Sequence, residues 1–527
     1  MAERLNKQQK LPANLIKKYL GLCANLKRPH PEEAPRQEVR SAFSGEVIGW
    51  TYMGDEGDVE RAFDLARTAQ RSWAQSSPRD RARIFRDFHD RVLANRELLM
   101  DIVQLETGKN RASALDEVMD VAINARYYAN QAPKLLAAQS RPGALPVVTQ
   151  SELQRSPVGV VGQISPWNYP LALGISDAIP ALLAGNGVVA KPDHNTPFSA
   201  LSVLYLLYES GLPRDLMQVV TGDGPVVGGA ISQRCDYLMF TGSTATGRIL
   251  GRTAGERLIG YSAELGGKNP MIITADADIQ HVIAEAPSAC FSNSGQLCVS
   301  IERIYVEAGV YQRFLDGFVA AVKNMKLGPG FDWNIDMGSL INAAQLQRVE
   351  DFVSDAQEKG ATVVCGGKAR PDLGPYFYEP TVLVDVPDDA RLKTEEVFGP
   401  VVFIEKVNNI AEAVEKANNT SYGLNACVFA RPETGRSIAS QLMAGGVGIN
   451  DGYAAIWATV SSPLGGMKQS GMSRRHGPDG LLKYTEARNV AEQRWLSMRG
   501  PAGMPRKTYA KVMVSALKLG KKLHLLP

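Results

Sequence analysis

The chain has 527 residues, of which 44% are hydrophobic and 21% charged, and a formal net charge of +3. This length exceeds what one hydrophobic core can organise, so we expect at least two domains. The small net charge does not favour nucleic acid as a partner. The sequence contains no run of about 18 to 20 apolar residues, so we predict no transmembrane segment. The N-terminus lacks the apolar run of a signal peptide.

The cysteines and histidines are dispersed along the chain. No CxxC pair or regular spacing links the six cysteines, which argues against a disulfide framework and against a zinc site. The six histidines are equally scattered, so we expect no metal centre. Unpaired thiols suit a reducing compartment, and we predict a cytoplasmic protein. The cysteines are Cys23, Cys235, Cys290, Cys298, Cys365 and Cys427.

The hydrophobic pattern changes along the chain. Residues 1–40 are predicted to form an N-terminal extension, in which residues 15–20 have helical spacing, and residues 57–140 are mostly helical in pattern. From about residue 157, short apolar runs such as GNGVVAKP alternate with helical stretches such as PFSALSVLYLLYES. This alternation predicts an α/β fold with a parallel sheet and helices on both faces. A second α/β segment follows residue 267.

The C-terminal tail, residues 501–527, has a composition of its own. It carries six Lys or Arg residues and no Asp or Glu, so the rest of the chain is net negative. A basic amphipathic helix can lie on an anionic membrane surface. Packing on a partner subunit is the alternative, and we favour that alternative from the sequence.

Two glycine-rich turns point to a phosphate-bearing ligand. GDGPVVGG at 222–229 has the spacing GxGxxxG, which fits a tight turn as well as it fits a ligand. FTGSTATG at 240–247 follows an apolar strand and opens a helix, so Gly242 and Ser243 can meet a pyrophosphate at the helix N-terminus. Without a GK[ST] motif, a dinucleotide is favoured over ATP. Lys191 ends the strand VVAK, where ligands bind in such sheets.

Three residues form the candidate catalytic set. Cys298 follows the flexible SGQ turn, where a thiol is presented to solvent, whereas Cys290 fits a buried packing role. Glu264 precedes a pair of glycines in ELGGKNP. Asn168 in PWNYP has a side-chain amide that can donate to a developing oxyanion.

At these residues the sequence resembles the aldehyde dehydrogenase superfamily, from about residue 41 to residue 497. The matching stretches are PWNYP, VVAKP, FTGS, ELGGKNP, GQLC, EEVFGP and PLGGMKQSG, in the family order. The resemblance implies that Cys298 attacks the aldehyde as a thiolate. Asn168 and the Cys298 backbone N–H would hold the oxyanion. After hydride transfer to the nicotinamide, Glu264 would activate the water that hydrolyses the acyl-thioester.

The resemblance also implies the cofactor contacts. Lys191 would hold the adenosine ribose, Ser243 the pyrophosphate, and Glu396, with Phe398 near it, the nicotinamide ribose. The remaining implied contacts are Trp167, Asn168, Pro192, Asp193, His194, Gly242 and Leu265.

The family's fold implies two Rossmann-type α/β domains and a β-hairpin that mediates oligomerisation, so we expect a homodimer or a homotetramer. The implied boundaries are 1–40 for the extension, 41–266 with 467–483 for the NAD(P)-binding domain, 267–466 for the catalytic domain, 141–156 with 484–497 for the oligomerisation element, and 498–527 for the tail.

The position three after Lys191 bears on the choice of cofactor. An acidic side chain there would bind the ribose hydroxyls and repel a 2′-phosphate. This chain has His194, which is neutral or positive. We therefore favour NADP⁺ over NAD⁺.

The overall pattern is most similar to the succinate-semialdehyde dehydrogenase branch of bacteria, which makes oxidation of succinate semialdehyde to succinate the first prediction. Members of that branch carry arginines that pair with the substrate carboxylate, but the corresponding positions here are Ser176 and Ser292. A buried carboxylate without a cation is poorly compensated. Arg303, Arg474 or Arg475 is a possible substitute.

Three alternatives stay open. Tyr453, Ile456 and Trp457 suit an apolar or aromatic aldehyde, unless they pack a subunit contact. A CoA-acylating dehydrogenase would use Cys298 as well, although Glu264 favours water as the acceptor. A non-enzymatic protein on the same fold would be expected to lack the nucleophile, the base or the oxyanion donor, and all three are present.

Overall fold

The computed structural model describes residues 11–27, 30, 33–142, 149–494 and 500–524. Parts of the predicted extension, of the hairpin and of the tail therefore lie outside the described residues. The helices of the described part, in chain order, are α1 Ala13–Leu20, α2 Glu56–Gln75, α3 Pro78–Ala94, α4 Arg96–Thr107, α5 Arg111–Leu135, α6 Pro170–Ile175, α7 Ala178–Leu183, α8 Pro197–Glu209, α9 Gly229–Ser232, α10 Thr244–Glu256, α11 Ile279–Phe291, α12 Tyr311–Lys323, α13 Ala343–Glu358, α14 Arg391–Thr394, α15 Ile410–Asn418, α16 Pro432–Ala439, α17 Ala454–Ala458, α18 Gly477–Leu482 and α19 Arg506–Lys522.

The strands are short, as expected for α/β units. They are β1 Arg36–Arg40, β2 Val47–Tyr52, β3 Gln139–Pro142, β4 Thr149–Pro157, β5 Val160–Ile164, β6 Gly187–Lys191, β7 Met217–Val219, β8 Tyr237–Thr241, β9 Gly260–Glu264, β10 Asn269–Ile273, β11 Ile301–Glu307, β12 Thr362–Cys365, β13 Thr381–Val384, β14 Val401–Val407, β15 Tyr422–Gly423, β16 Asn425–Phe429, β17 Gly446–Ile449, β18 Met467–Lys468, β19 Gly471–Met472 and β20 Thr485–Gln493.

The first large sheet has six strands in the order β19-β9-β8-β5-β6-β7. All neighbours are parallel except the pair β19 and β9. Its central strands β5 and β6 are buried along their whole length, because helices cover both faces of the sheet. The strand and helix predicted from GNGVVAKP and PFSALSVLYLLYES are confirmed as β6 and α8.

The second large sheet has seven strands in the order β12-β13-β14-β11-β10-β16-β17 and is parallel except for β12 and β13. The α/β class predicted from the alternating pattern is confirmed by these two sheets. The chain passes between them at the segment that joins β9 to β10. Residues at the carboxyl end of β9 and just before β11 therefore face a common cleft, as the site geometry below shows.

The helical region predicted for 57–140 forms α2 to α5, and its apolar faces build the largest core with α8. Part of the predicted extension belongs to the same core, because Tyr19 and Leu20 of α1 are each only 3% exposed. The extension also contains β1, which pairs antiparallel with β2. Residues 11–40 are thus integrated into the body more closely than the sequence pattern predicts.

A three-stranded antiparallel sheet, β20-β4-β3, stands apart from the two large sheets. β4 pairs with β20 over its full length, from Pro157 opposite Thr485 to Thr149 opposite Gln493. β20 is exposed from Glu486 onward. None of the helices in the described ranges is long and apolar enough to cross a membrane.

Candidate active site

A cavity of about 300 Å³ between the two large sheets, here called the Cys298 cavity, unites the predicted catalytic residues. Cys298, Glu264 and Asn168 all line it, although they come from three distant parts of the chain. Seven of the predicted cofactor contacts line it, with Asn168 belonging to both sets. Its lining residues are Pro166, Trp167, Asn168, Leu173, Thr241, Gly242, Ser243, Glu264, Leu265, Gly266, Cys298, Gln345, Arg348, Glu396 and Phe398.

The turn before Cys298 has an unusual backbone. Asn293, Ser294 and Gly295 all have positive φ, at 51°, 55° and 70°. At Gly295 a Cβ atom would lie 2.1 Å from the carbonyl oxygen of Gly399, so only glycine fits there. The buried Gln296 braces the turn, because its side-chain oxygen accepts the Ile341 N–H at 3.0 Å.

This turn presents Cys298 to the cavity as a half-buried thiol. Burial, assisted by the carboxyls of Glu264 and Glu396, raises the pKa of Cys298 to about 12. In this state the residue is a thiol, and a base must remove its proton before attack. Cys290, in contrast, lies in the core beneath the second sheet, as its predicted packing role requires.

Asn168 lies directly beside the cysteine turn. Its side-chain NH₂ donates to the Gln296 carbonyl at 3.1 Å. Its own backbone carbonyl accepts the Lys109 ammonium at 2.7 Å and the Asn293 amide at 2.9 Å. The side-chain amide can therefore point toward an oxygen bound at Cys298 without losing the contacts that position the residue.

A buried ion pair that the sequence did not suggest supports Asn168. Lys109 and Glu117 are both fully buried, with 2.5 Å between ammonium and carboxylate. Glu117 also accepts the N–H groups of Leu171 and Ala172 at the start of α6. The sequence signal for this pair was two opposite charges eight residues apart, and such a pair occurs on many solvated helix surfaces.

Glu264 ends β9 and is 6% exposed. Burial raises the pKa of Glu264 to about 7, and the positive charges of Arg475 and Lys483 limit that rise. No hydrogen bond or ion pair of its carboxylate to another described residue is present. Its oxygen lies against Gly465, where a Cβ atom would approach to 3.2 Å. A carboxyl group with these properties can accept a proton near neutral pH.

A second buried ion pair, Arg475 with Asp177, lies next to Glu264. The guanidinium and carboxylate are 3.2 Å apart and both side chains are about 95% buried. Arg475 is fixed by two backbone hydrogen bonds with Leu464, which precedes Gly465. Arg475 is a possible substrate ligand from the sequence alone, and its pairing with Asp177 beside Glu264 appears only in the fold.

The predicted cofactor residues fall into two groups. Ser243 caps α10, and its hydroxyl accepts the Thr246 N–H at 3.2 Å. Glu396 accepts the Gly267 N–H at 2.7 Å, and burial raises the pKa of Glu396 to about 8. Trp167 and Phe398 meet edge to face with ring centroids 5.5 Å apart. These residues, with Gly242 and Leu265, line the Cys298 cavity.

Lys191, Pro192, Asp193 and His194 form the second group, beyond that cavity at the carboxyl end of β6. Lys191 is 3% exposed and its ammonium donates to the Pro192 carbonyl, leaving two of its three N–H donors for a ligand. A Cβ atom on Gly228 would lie 3.9 Å from the Lys191 chain, so the turn at 222–229 covers this lysine. Lys191 and Ser243 follow β6 and β8 of the first sheet, at the carboxyl edge where dinucleotides bind in such folds, whereas Glu396 and Phe398 precede β14 of the second sheet.

A larger cavity of about 620 Å³, here called the outer cavity, lies on the other side of the cysteine turn. Tyr453 connects the two, because it lines the outer cavity and packs in an apolar cluster with Cys298. The outer cavity is lined by Asn110, Ala112, Ser113, Asp116, Met119, Asp120, Ile123, Ala284, Pro287, Ser288, Phe291, Ser292, Met325, Trp333, Ile335, Asp336, Tyr453, Ala454, Trp457 and Ala458.

The charges of the outer cavity are all acidic. Three aspartates line it, and none of its described lining residues is Lys or Arg. Burial raises the pKa of Asp120 to about 6, and that side chain accepts the Ser176 hydroxyl. Ser292 donates to the Ser288 carbonyl of its own helix at 2.8 Å. Two large aromatic side chains, Trp333 and Trp457, complete a wall that suits uncharged groups.

None of the three arginines considered as carboxylate ligands lines the outer cavity. Arg303 is buried and donates to the carbonyls of Lys268, Lys416 and Ala417. Arg474 donates to nearby backbone carbonyls. Arg475 is occupied by Asp177, as described above. None of these three arginines is therefore placed in the outer cavity to pair with a substrate carboxylate.

This geometry defines a dehydrogenase site, and comparison with known proteins gives its family. The family model described as "Aldehyde dehydrogenase family" matches residues 30–490. The chain belongs to this family and is an oxidoreductase that acts on aldehydes. The resemblance found in the seven motifs is confirmed.

Particular relatives are similar over most of the chain. One from Mycolicibacterium smegmatis, named "Putative succinate-semialdehyde dehydrogenase (NADP(+))", is 52% identical over 92% of this chain and 94% of its own. The solved structure of an NADP-dependent enzyme from E. coli has a TM-score of 0.84 at 33% identity, covering 87% of this chain and 95% of that one. The NAD⁺ complex of a Bacillus cereus aldehyde dehydrogenase has a TM-score of 0.83 at 36% identity, covering 87% and 93%.

Proposed function

We propose that this aldehyde dehydrogenase oxidises succinate semialdehyde to succinate with NADP⁺, through a thioester on Cys298. The observation that carries the chemistry is the Cys298 cavity, which joins a thiol, a carboxyl group with a pKa of about 7 and a positioned amide. The substrate and the cofactor are supported by the relative from M. smegmatis, whose name contains both.

The proposed reaction begins when the Cys298 thiol gives its proton to solvent water and the resulting thiolate forms a bond to the aldehyde carbon. The carbonyl oxygen becomes an oxyanion held by the Asn168 amide and the Cys298 N–H. When bound, the nicotinamide dinucleotide accepts the hydride from that carbon, which leaves an acyl-thioester. Glu264 then takes a proton from water, and the resulting hydroxide cleaves the thioester to release the acid and restore the thiol.

The dinucleotide would be held by Lys191 at the adenosine ribose, by Ser243 at the pyrophosphate and by Glu396 at the nicotinamide ribose. Our preference for NADP⁺ rests on His194, which is partly exposed beside Asp193, with 3.7 Å between ring nitrogen and carboxylate. A cationic or neutral ring tolerates a 2′-phosphate that an acidic side chain would repel.

An uncharged apolar or aromatic aldehyde is the second candidate substrate. The outer cavity favours it, because its charged lining residues are aspartates and Trp333, Trp457 and Tyr453 supply apolar contact. A substrate carboxylate there would be desolvated without a cation. Ser113 offers a hydroxyl donor to a carboxylate but no charge, and the Ser292 hydroxyl already donates to the Ser288 carbonyl.

A panel of aldehydes measured with each cofactor tests the proposal. We expect kcat/KM for succinate semialdehyde with NADP⁺ to exceed that for pentanal and benzaldehyde, and NAD⁺ to be less efficient. A higher kcat/KM for the uncharged aldehydes would select the second candidate. Equal efficiency with both cofactors would contradict the preference assigned to His194. Stimulation by coenzyme A would instead indicate the acylating reaction.

We also propose that the protein is a cytoplasmic homodimer or homotetramer. The exposed strand β20 at the edge of the three-stranded sheet supports subunit pairing, since such an edge has unpaired backbone groups. The six unpaired cysteines support a reducing compartment. The mass in solution, measured by light scattering, tests the oligomer.

A further inference from the structure

The C-terminal helix α19 is a basic amphipathic helix with no role in the catalytic site. It spans Arg506–Lys522 and, with the residues around it, carries all six positive charges of the tail and no negative one. None of its residues belongs to a hydrophobic core of the protein. A short helix is marginally stable in water by itself, so a helix outside the core is expected to be stabilised by contact with another surface.

Its apolar residues form a continuous stripe that faces solvent. Val512, Ala516, Leu519 and Leu523 recur at intervals of three or four residues, which places them on one face of the helix. Val512, Leu519 and Leu523 are 51%, 57% and 54% exposed. Exposed large apolar side chains in such a row are unusual on a soluble surface and mark an interaction site.

A second stripe, toward Tyr509 and Met513, is partly covered. Both side chains are half-buried, and the tail segment itself approaches Tyr509, because a Cβ atom on Gly500 would lie 2.9 Å from that ring. The segment before the helix thus supports one side of α19. It leaves the row from Val512 to Leu523 uncovered.

Four lysines lie on the flank of the helix beside this apolar row, and the exposed Val514 and Leu517 lie on the side opposite the row. Lys507, Lys511, Lys518 and Lys522 repeat at intervals of four and seven residues and are all exposed. Long lysine side chains at the border of an apolar face can extend their ammonium groups toward phosphate while their stems cover apolar surface. The apolar row and the lysine flank beside it can therefore contact, respectively, the acyl chains and the phosphates of an anionic lipid surface.

We propose that α19 docks in the plane of an anionic lipid bilayer and attaches the enzyme peripherally to that surface. The helix is too short and too charged to cross a bilayer. A specific subunit interface needs roughly 800 Å² per partner, whereas a helix of 17 residues is only about 26 Å long and offers one narrow apolar row. Six cations without an anion complement phosphate headgroups directly.

Co-sedimentation of the full-length protein with vesicles tests this proposal. We expect the protein to sediment with vesicles of phosphatidylcholine containing about 30% phosphatidylglycerol, an anionic surface, and to stay in solution with phosphatidylcholine alone. High salt should release it, because the attraction falls off within about a Debye length. The aldehyde substrate and the cofactor are absent from this assay, so its result is independent of the proposed function.

A matched pair of triple variants separates this helix from general surface charge. Lys511→Glu, Lys518→Glu and Lys522→Glu together should lower partitioning onto anionic vesicles at least tenfold. The control, Lys134→Glu, Lys326→Glu and Lys368→Glu, changes three exposed lysines elsewhere by the same charge and should bind like the wild type. Both variants should keep their kcat/KM, since none of these lysines lines either cavity.

Three outcomes would overturn the proposal. The first is failure of the wild type to sediment with anionic vesicles. The second is an equal loss of binding in both triple variants. The third combines two results: the wild type does not bind vesicles, and the double variant Leu519→Gln with Leu523→Gln has a different mass in solution by light scattering. That last result would assign the apolar row to a second copy of this chain.

Discussion

The two cavities on either side of Cys298 differ in how their charges are compensated. In the Cys298 cavity the carboxyl of Glu264 has the cations of Arg475 and Lys483 near it, and Glu396 accepts a backbone N–H. In the outer cavity none of the described lining residues is Lys or Arg. Asp120 accepts the Ser176 hydroxyl and the Asn124 amide, and the cations that act on Asp120 and Asp116, Arg475 and Lys109, lie outside the lining.

The difference corresponds to two tasks. The Cys298 cavity holds Glu264, whose protonation must change in the proposed reaction, and the nearby cations keep the pKa of that carboxyl close to neutrality. We propose that the outer cavity selects which aldehyde reaches the thiol, because its wall is apolar and acidic and would discriminate by charge. On this proposal chemistry and selectivity lie in different parts of the protein, and four variants can test the division.

The largest expected effect is that of Cys298→Ala, which should abolish aldehyde oxidation with every substrate, because no other thiol lines either cavity. The measurement is steady-state formation of the reduced cofactor. Cys290→Ala is the matched control and should keep turnover while losing about 1 kcal/mol of stability from the core. Turnover by Cys298→Ala would refute the thioester mechanism.

Glu264→Gln should separate the two halves of the reaction. The amide cannot accept a proton from water, so hydrolysis of the acyl-thioester should slow by roughly 10²–10⁴. Because hydride transfer precedes that step, stopped-flow absorbance should show one rapid turnover per site followed by a slow steady state. A uniform loss of the rapid phase and the steady state would mean that Glu264 acts before the thioester forms.

Arg475→Met should move the pH dependence. Glu264 must be ionised to act as a base, so activity rises with pH as its carboxyl loses a proton near pH 7. Removing the cation raises the pKa of Glu264, and the rising limb of kcat against pH should shift to higher pH. A shift by one unit corresponds to 1.36 kcal/mol.

Arg475→Lys is the control, because it keeps a cation beside Glu264 and should leave the limb close to its original position. The Arg475→Met variant leaves Asp177 buried without its partner, so the melting temperature should be measured for both. If the folded Arg475→Met protein shows the same dependence of kcat on pH as the wild type, the ion pair serves stability alone.

The smallest expected effect is that of Asp116→Asn in the outer cavity. Removing a carboxylate reduces repulsion of an anionic aldehyde, so kcat/KM for succinate semialdehyde should rise by about 3- to 10-fold, equivalent to roughly 1 kcal/mol. Pentanal is the internal control and should change little. Equal changes for both aldehydes would show that Asp116 acts on the fold or on the cysteine turn and not on substrate charge.

The sequence was sufficient for the parts of the protein that depend on local pattern. Alternating apolar runs and helical stretches predicted the α/β class, since period and turn residues are local properties. Glycines at Gly295 and Gly242 and the neighbouring Cys298 and Ser243 marked the reactive turn and the helix N-terminus. The motif resemblance then assigned Glu264 and Asn168 to the same reaction, and the structure brings them to one cavity.

Tertiary structure alone decided what surrounds those residues. Asp177 and Arg475 are almost 300 positions apart, and the antiparallel contact of the Leu464 segment with Arg475 helps to hold the guanidinium near Glu264. Likewise, α5, α11 and α17 must converge before Asp116 and Trp457 share a wall. A charge has a different energy in water and in a desolvated cavity, and desolvation is a property of the packed fold and not of any segment.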